Sequence, residues 1–148
     1  MLVVEAGDGL ALRLCGRLLA DAGASVLRVA GASAAADAGA DAARTDGAVP
    51  ADTLLAQPYG ADWAAFLDEG KGHASAGEAE ALLGEAWLLL SGLPHAAPLG
   101  CTGALARHPR LIAACVTPFG QDGPRAGQPG DDVAVSALAG LADATPGF

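Results

Sequence analysis

The chain has 148 residues, 52% of them hydrophobic, which suffices for one domain with a packed core and excludes general disorder. Eight basic residues against 17 acidic ones give a formal charge of −9, which argues against broad binding to nucleic acid or to an anionic membrane surface. No apolar run approaches the ~20 residues that span a bilayer. No basic stretch followed by a long apolar one opens the chain, so the expected location is cytoplasmic.

Leu2-Val-Val-Glu5 reads as a short strand and Gly7-Asp-Gly9 as a turn. Leu10, Leu14, Leu18 and Leu19 then recur at helical spacing, giving a helix over 10–22 with Gly23 placed as its cap. Ser25–Val29 is the second strand, and the strand–helix–strand unit should make a right-handed parallel crossover. Gly7 and Gly9 invite comparison with the dinucleotide pattern G-x-G-x-x-G. Leu12 stands where its third glycine belongs, and Ala30 and Gly31 rather than an acid follow the second strand. Neither a nicotinamide nor a flavin site is expected.

Residues 30–50 are a low-complexity run of Ala, Gly and Asp, expected to form a surface loop. Asp62–Asp68 should be a short helix that buries Trp63, Phe66 and Leu67. In the glycine-flanked turn Glu69-Gly-Lys-Gly72, Lys71 either meets a phosphate as a point charge or is an ordinary solvated lysine. A clipped helix at 76–84, a buried strand at 86–90 and a loop at Ser91–Pro94 come next. A short helix at 102–107 closes at Arg107 and His108. Leu111–Val116 is the next apolar strand, followed by a loop from Pro118 to Gly130 rich in glycine and proline. Asp131 and Asp132 are placed to cap a helix over 132–143.

The expected fold is α/β, a Rossmann-like open, mostly parallel sheet with flanking helices, as a single domain over 1–148. Ligands of such sheets bind at the C-terminal ends of the strands. Cys15, Cys101 and Cys115 are odd in number, lack paired metal spacing and read as buried free thiols. His73, His95 and His108 have no ligand at helical spacing, so no metal is expected. No Gly-x-Ser-x-Gly elbow is present, which excludes the usual serine hydrolase. Asp131 and Asp132 are adjacent carboxylates that could share a proton, but capping is the expected role.

His108-Pro-Arg-Leu, Phe119-Gly-Gln-Asp-Gly-Pro124, Pro129-Gly-Asp-Asp132 and Ser136-Ala-Leu-Ala-Gly-Leu141 occur in order, after an opening Arg17-Leu-Leu-Ala-Asp-Ala-Gly-Ala-Ser-Val-Leu-Arg-Val29. Together they resemble the family III acyl-CoA transferases, which include formyl-CoA and carnitine CoA-transferases and a branch of α-methylacyl-CoA racemases. The resemblance implies an enzyme that moves CoA between an acyl-CoA and a carboxylic acid, with coenzyme A or acyl-CoA as substrate and an oligomeric assembly. It implies a CoA site around Ala11, Lys71, Leu93, Phe119, Gly120 and Gly123. The family's nucleophilic aspartate comes from a segment downstream of the match to Leu141, expected beyond Phe148. The sequence departs from the pattern in several places. Ala30 and Gly31 replace nucleotide contacts, Gly72 an arginine and Leu93 an aromatic. Asp131 replaces the racemase histidine, which speaks against the alternative of an acyl-CoA racemase relative. The other alternative is a non-catalytic interaction module that pairs with a complete transferase subunit or domain.

Overall fold

The structure, a computed structural model, describes residues 1–7, 9–29, 60–93, 97–126, 128, 130 and 132–144, so the expected loop at 30–50 lies outside the described residues. The chain divides into two compact units, 1–116 and 117–148. The first unit contains β1 (Leu2–Ala6), α1 (Leu10–Asp21), β2 (Ser25–Val29), α2 (Gly60–Asp68) and β3 (Gly72–Ala74). It continues with α3 (Ala76–Leu82), β4 (Leu88–Ser91), α4 (Cys101–Arg107) and β5 (Ile112–Cys115). Among the described residues its five strands are all parallel, in the order β3-β2-β1-β4-β5. This is the expected Rossmann-like α/β arrangement. The second unit contains α5 (Asp132–Leu138) and α6 (Leu141–Ala144).

β1 is central, and its alternating side chains are buried on both faces, as a parallel sheet flanked by helices requires. Val3 packs with Leu12 of α1, Val26 and Leu90 on one face. Val4 and Ala6 pack with Val29 and Leu89 on the other, under Ala79 of α3 and Ala104 of α4. Each leucine buried here contributes about 1.5–3 kcal/mol of transfer free energy. Gly23, at φ +90°, closes α1 as expected, and the Ala24 N–H donates to the Leu19 carbonyl at 2.9 Å. Ser75 and Glu78 form a capping box on α3, with the Ser75 N–H donating to Glu78 Oε2 at 2.8 Å. These bonds hold the exposed Glu78 carboxyl below its ordinary pKa.

Four local expectations are corrected. Gly72, read as the end of a turn, opens the edge strand β3, because Leu27–Val29 of β2 supplies the pairing that so short a run cannot signal alone. β4 begins at Leu88 rather than 86, since the Ala86 N–H still closes the end of α3 on the Leu82 carbonyl. The helix expected over 132–143 is broken at Gly140, whose φ of +76° interrupts it between α5 and α6. Of the three α2 residues expected to be buried, only Leu67 is fully so. Phe66 stacks on Trp63 at 5.2 Å and stays exposed beneath the Arg17 guanidinium.

Candidate functional site

The topology selects a crevice. From β1 the chain runs outward to β2 and β3, then returns to the opposite side of β1 to form β4. β1 and β4 are therefore neighbours whose connections leave in opposite directions, and an open sheet binds ligands just beyond such a pair. Their ends meet through backbone: the Gly92 N–H donates to the Ala6 carbonyl at 2.9 Å. Gly7 has φ +135°, and a Cβ on it would lie 3.2 Å from the Gly92 nitrogen and 3.3 Å from Leu12 Cδ2. Only glycine fits there.

α1 starts at this mouth. Its N-cap, Gly9, offers no side chain, its first turn carries no acid, and its first internal bond runs from the Arg13 N–H to the Gly9 carbonyl. The N–H groups of Leu10, Ala11 and Leu12 precede that bond and, with the helix dipole, favour an anion. Across the mouth, Ser91 is fully buried. Its hydroxyl donates to the Leu99 carbonyl at 2.7 Å and accepts from the Leu93 N–H at 3.2 Å, fixing the connection that leaves β4. Ala11 and Leu93 thus belong to the elements that border the crevice, although the Leu93 side chain is spent in the core.

Lys71 lies elsewhere. Its side chain has 0% exposure, and its ammonium donates to Glu5 Oε2 at 2.6 Å and to the Arg13 carbonyl at 2.8 Å. It is not a solvated loop lysine. Around this pair, Arg13 Nη2 meets Asp68 Oδ1 at 3.0 Å and the Ala64 carbonyl at 3.1 Å, tying α1 to α2. Arg28 bonds Asp68 Oδ2 at 2.9 Å and stands 3.6 Å from Glu5 Oε1, an ion pair without a hydrogen bond. Burial pushes the Glu5 carboxyl above its ordinary pKa, against the opposing pull of Lys71. Gly16 makes room for that carboxylate: a Cβ there would sit 1.7 Å from Glu5 Oε2. The sequence signal for a buried charge in this cluster was Glu5, an acid inside the apolar strand Leu2–Ala6.

In the second unit, Gly120 and Gly123 have φ of +83° and +103°, conformations that favour glycine. The Arg125 guanidinium lies 5.9 Å over the Phe119 ring, and a Cβ on Gly130 would meet that ring at 2.7 Å. Asp131, the Asp132 side chain and His95 lie outside the described residues. Among the described residues, no three His, Cys, Asp or Glu side chains are grouped to hold a metal ion, and no helix is long and apolar enough to cross a membrane. The reading of three free thiols is corrected: Cys101 and Cys115 form a disulfide with Cα atoms 6.3 Å apart, and only Cys15 is free. Fourteen residues separate the two in sequence, so their juxtaposition across α4 and β5 appears only in the fold.

Residues 92–148, from the crevice glycine onward, match the model of CoA-transferase family III. No curated protein matches the chain. Solved structures do. The crystal structure of a hypothetical protein of Mycobacterium tuberculosis, Rv3272, is 24% identical with a TM-score of 0.65, over 99% of this chain and 41% of that one. A mutant of the same protein gives 25% identity and a TM-score of 0.65 over 99% and 40% of the two chains. Its orthorhombic form gives 25% and 0.62 over 99% and 41%. The chain therefore spans about 40% of the length of these neighbours. Residues 92–148 thus carry the sequence pattern of CoA-transferase family III, and nearly the whole chain shares the fold of about 40% of these longer neighbours.

Proposed function

We propose that this chain is the CoA-binding portion of a family III CoA-transferase, working on an acyl-CoA donor and a carboxylic acid acceptor. The observation that carries the reading is the family match over 92–148, which starts at the β1/β4 crevice and contains the Phe119–Gly123 loop. In this reading the free N–H groups at the start of α1, including that of Ala11, receive an anionic group of CoA. The backbone at Gly92 and Leu93 lines the opposite wall. Phe119, Gly120 and Gly123 are CoA contacts on the resemblance alone, and they belong to the second unit. With its ammonium committed to Glu5, Lys71 enters as a support for α1 rather than as a phosphate ligand.

Acyl transfer through an anhydride needs a fixed carboxylate beside the thioester carbonyl, with donors for the oxyanion. The resemblance assigns that aspartate to a segment downstream of Leu141. This proposal therefore gives the present stretch binding and not the covalent step, within an oligomeric transferase. The second reading, a module that pairs with a complete transferase without binding CoA, is favoured by Ala30 and Gly31 standing where nucleotide contacts are expected.

Calorimetric titration with CoA and acetyl-CoA separates the two. Saturable binding is expected that weakens as salt rises, because the contacts are ionic. Gly7→Ala should weaken it at least tenfold, since a side chain at φ +135° strains the turn and pushes on Gly92. A folded protein that takes up neither compound would leave the pairing module as the better reading.

A further inference from the structure

We propose that the Cys101–Cys115 disulfide is a reversible redox clasp that sets how firmly the wall of the crevice is held. Cys101 is the first residue of α4 and Cys115 the last of β5. Cys115 stands in register with Ser91, the residue that ends β4. The connection from β4 to α4 starts at the crevice with Gly92 and Leu93. It is therefore pinned twice on one row of the sheet, at its start by the Ser91 hydroxyl and at its end by the disulfide. Breaking the disulfide leaves the start of α4, a helix of seven residues, held by packing and by the Ser91 hydroxyl on the Leu99 carbonyl, with no covalent tie to β5. A change of redox state is thereby delivered to the segment that borders the ligand mouth.

The chemistry needs a disulfide oxidant, and glutathione disulfide is of the right class. Cys101 is 3% exposed whereas Cys115 is half-buried on the edge strand, so exchange runs through Cys115. The Cys115 thiolate attacks one sulfur of glutathione disulfide and expels a glutathione thiolate. The Cys101 thiolate then attacks Cys115 Sγ in the mixed disulfide and expels the second. Two electrons pass from the cysteines to the glutathione pair, and the two protons lost by the cysteines are taken up by the two leaving thiolates. Cys15 does not compete, because it packs with Leu12 and Val26 on the opposite face of the sheet from Ala113 and Cys115.

The test equilibrates the protein in glutathione buffers of graded redox ratio and reads alkylation by mass, hydrogen exchange at α4 amides and the melting temperature. The expected result is a pair that protects two thiols together in oxidising buffer while Cys15 stays alkylatable. Reduction should speed exchange at the Ala104 and His108 amides at least tenfold. It should also lower Tm by roughly 10 °C, the size set by closing a loop of this length. Cys115→Ser should show the reduced behaviour at every ratio, and Cys15→Ser should behave like the parent. Equal exchange at α4 in the two redox states would overturn the clasp, as would thiols that never respond to the ratio. Its effect on CoA rests on the function proposed above. Tighter CoA binding in one state supports the coupling, equal binding in both overturns it, and no binding in either sinks the CoA reading while α4 exchange still decides the clasp.

Discussion

Lys71→Met is expected to destabilise the first unit by about 3–5 kcal/mol, the cost of leaving a buried charge without its partner. The side chains of Glu5 and Lys71 are both fully buried, so solvent cannot replace the lost ammonium at Glu5 Oε2. Arg28 offers little compensation, since it stands 3.6 Å from the other oxygen. Methionine keeps the volume of the stem, which separates the electrostatic loss from a cavity. The pH dependence gives a second readout. Burial already raises the Glu5 pKa above its unfolded value, so the native state keeps this proton to higher pH than the unfolded chain. The contribution of this group is therefore complete below the unfolded pKa and is lost as pH rises through the folded one. Lys71→Met removes two of the three influences that hold the shift down, the lysine's hydrogen bond and its charge, and leaves the charge of Arg28. The window then widens upward, and the variant regains stability relative to the parent on acidification. Urea melts of both proteins between about pH 4 and 8 measure this difference. A parallel pair of stability curves, or a loss under 1 kcal/mol, would show that the pair is not an electrostatic keystone.

The elements that sequence reading placed well are those whose pattern is local. The apolar runs of β1 and β2, the leucine spacing of α1 and the glycine at 23 each carry their own signal, and each appears within a residue or so of its expected place. β3 was invisible for the opposite reason. Three residues, Gly72, His73 and Ala74, have no alternation to read, and they are a strand only because β2 pairs with them. The same division runs through the candidate site. Ala11 came from the family resemblance, and the local pattern showed only that a helix opens there after a glycine turn. The crevice itself depends on β4 returning beside β1, which no local pattern states. Lys71 stood out by its glycine-flanked turn, but its partner Glu5 is 66 residues away, and the space they share exists because residue 16 lacks a side chain. The disulfide was missed on similar grounds, since spacing in sequence says nothing of α4 starting against the end of β5.

Gly16→Ala turns that reading of residue 16 into a change of sign. Inside a helix, alanine is favoured over glycine by about 1 kcal/mol, and Gly16 lies in the middle of α1. Propensity alone therefore predicts a more stable protein. The packing says otherwise: the new Cβ would lie 1.7 Å from Glu5 Oε2, 2.9 Å from Glu5 Cδ and 3.0 Å from Lys71 Nζ. The obstacle is not the loose tip of an exposed side chain but a carboxylate held by a buried ammonium, so α1 must lift from the sheet or the ion pair must part. A net loss of about 2–4 kcal/mol is expected, set by overpacking and by damage to the buried pair. In a Glu5→Ala/Lys71→Met background both obstructing groups are gone and no charge is left stranded between them. There the same Gly16→Ala change should stabilise by ~0.5–1 kcal/mol, as helix propensity dictates. The reversal corresponds to a coupling of several kcal/mol, well beyond the ~0.5 kcal/mol within which independent sites add. An equal loss in both backgrounds would mean that something other than Glu5 demands the glycine, and the account of why α1 sits so close to β1 would have to be rebuilt.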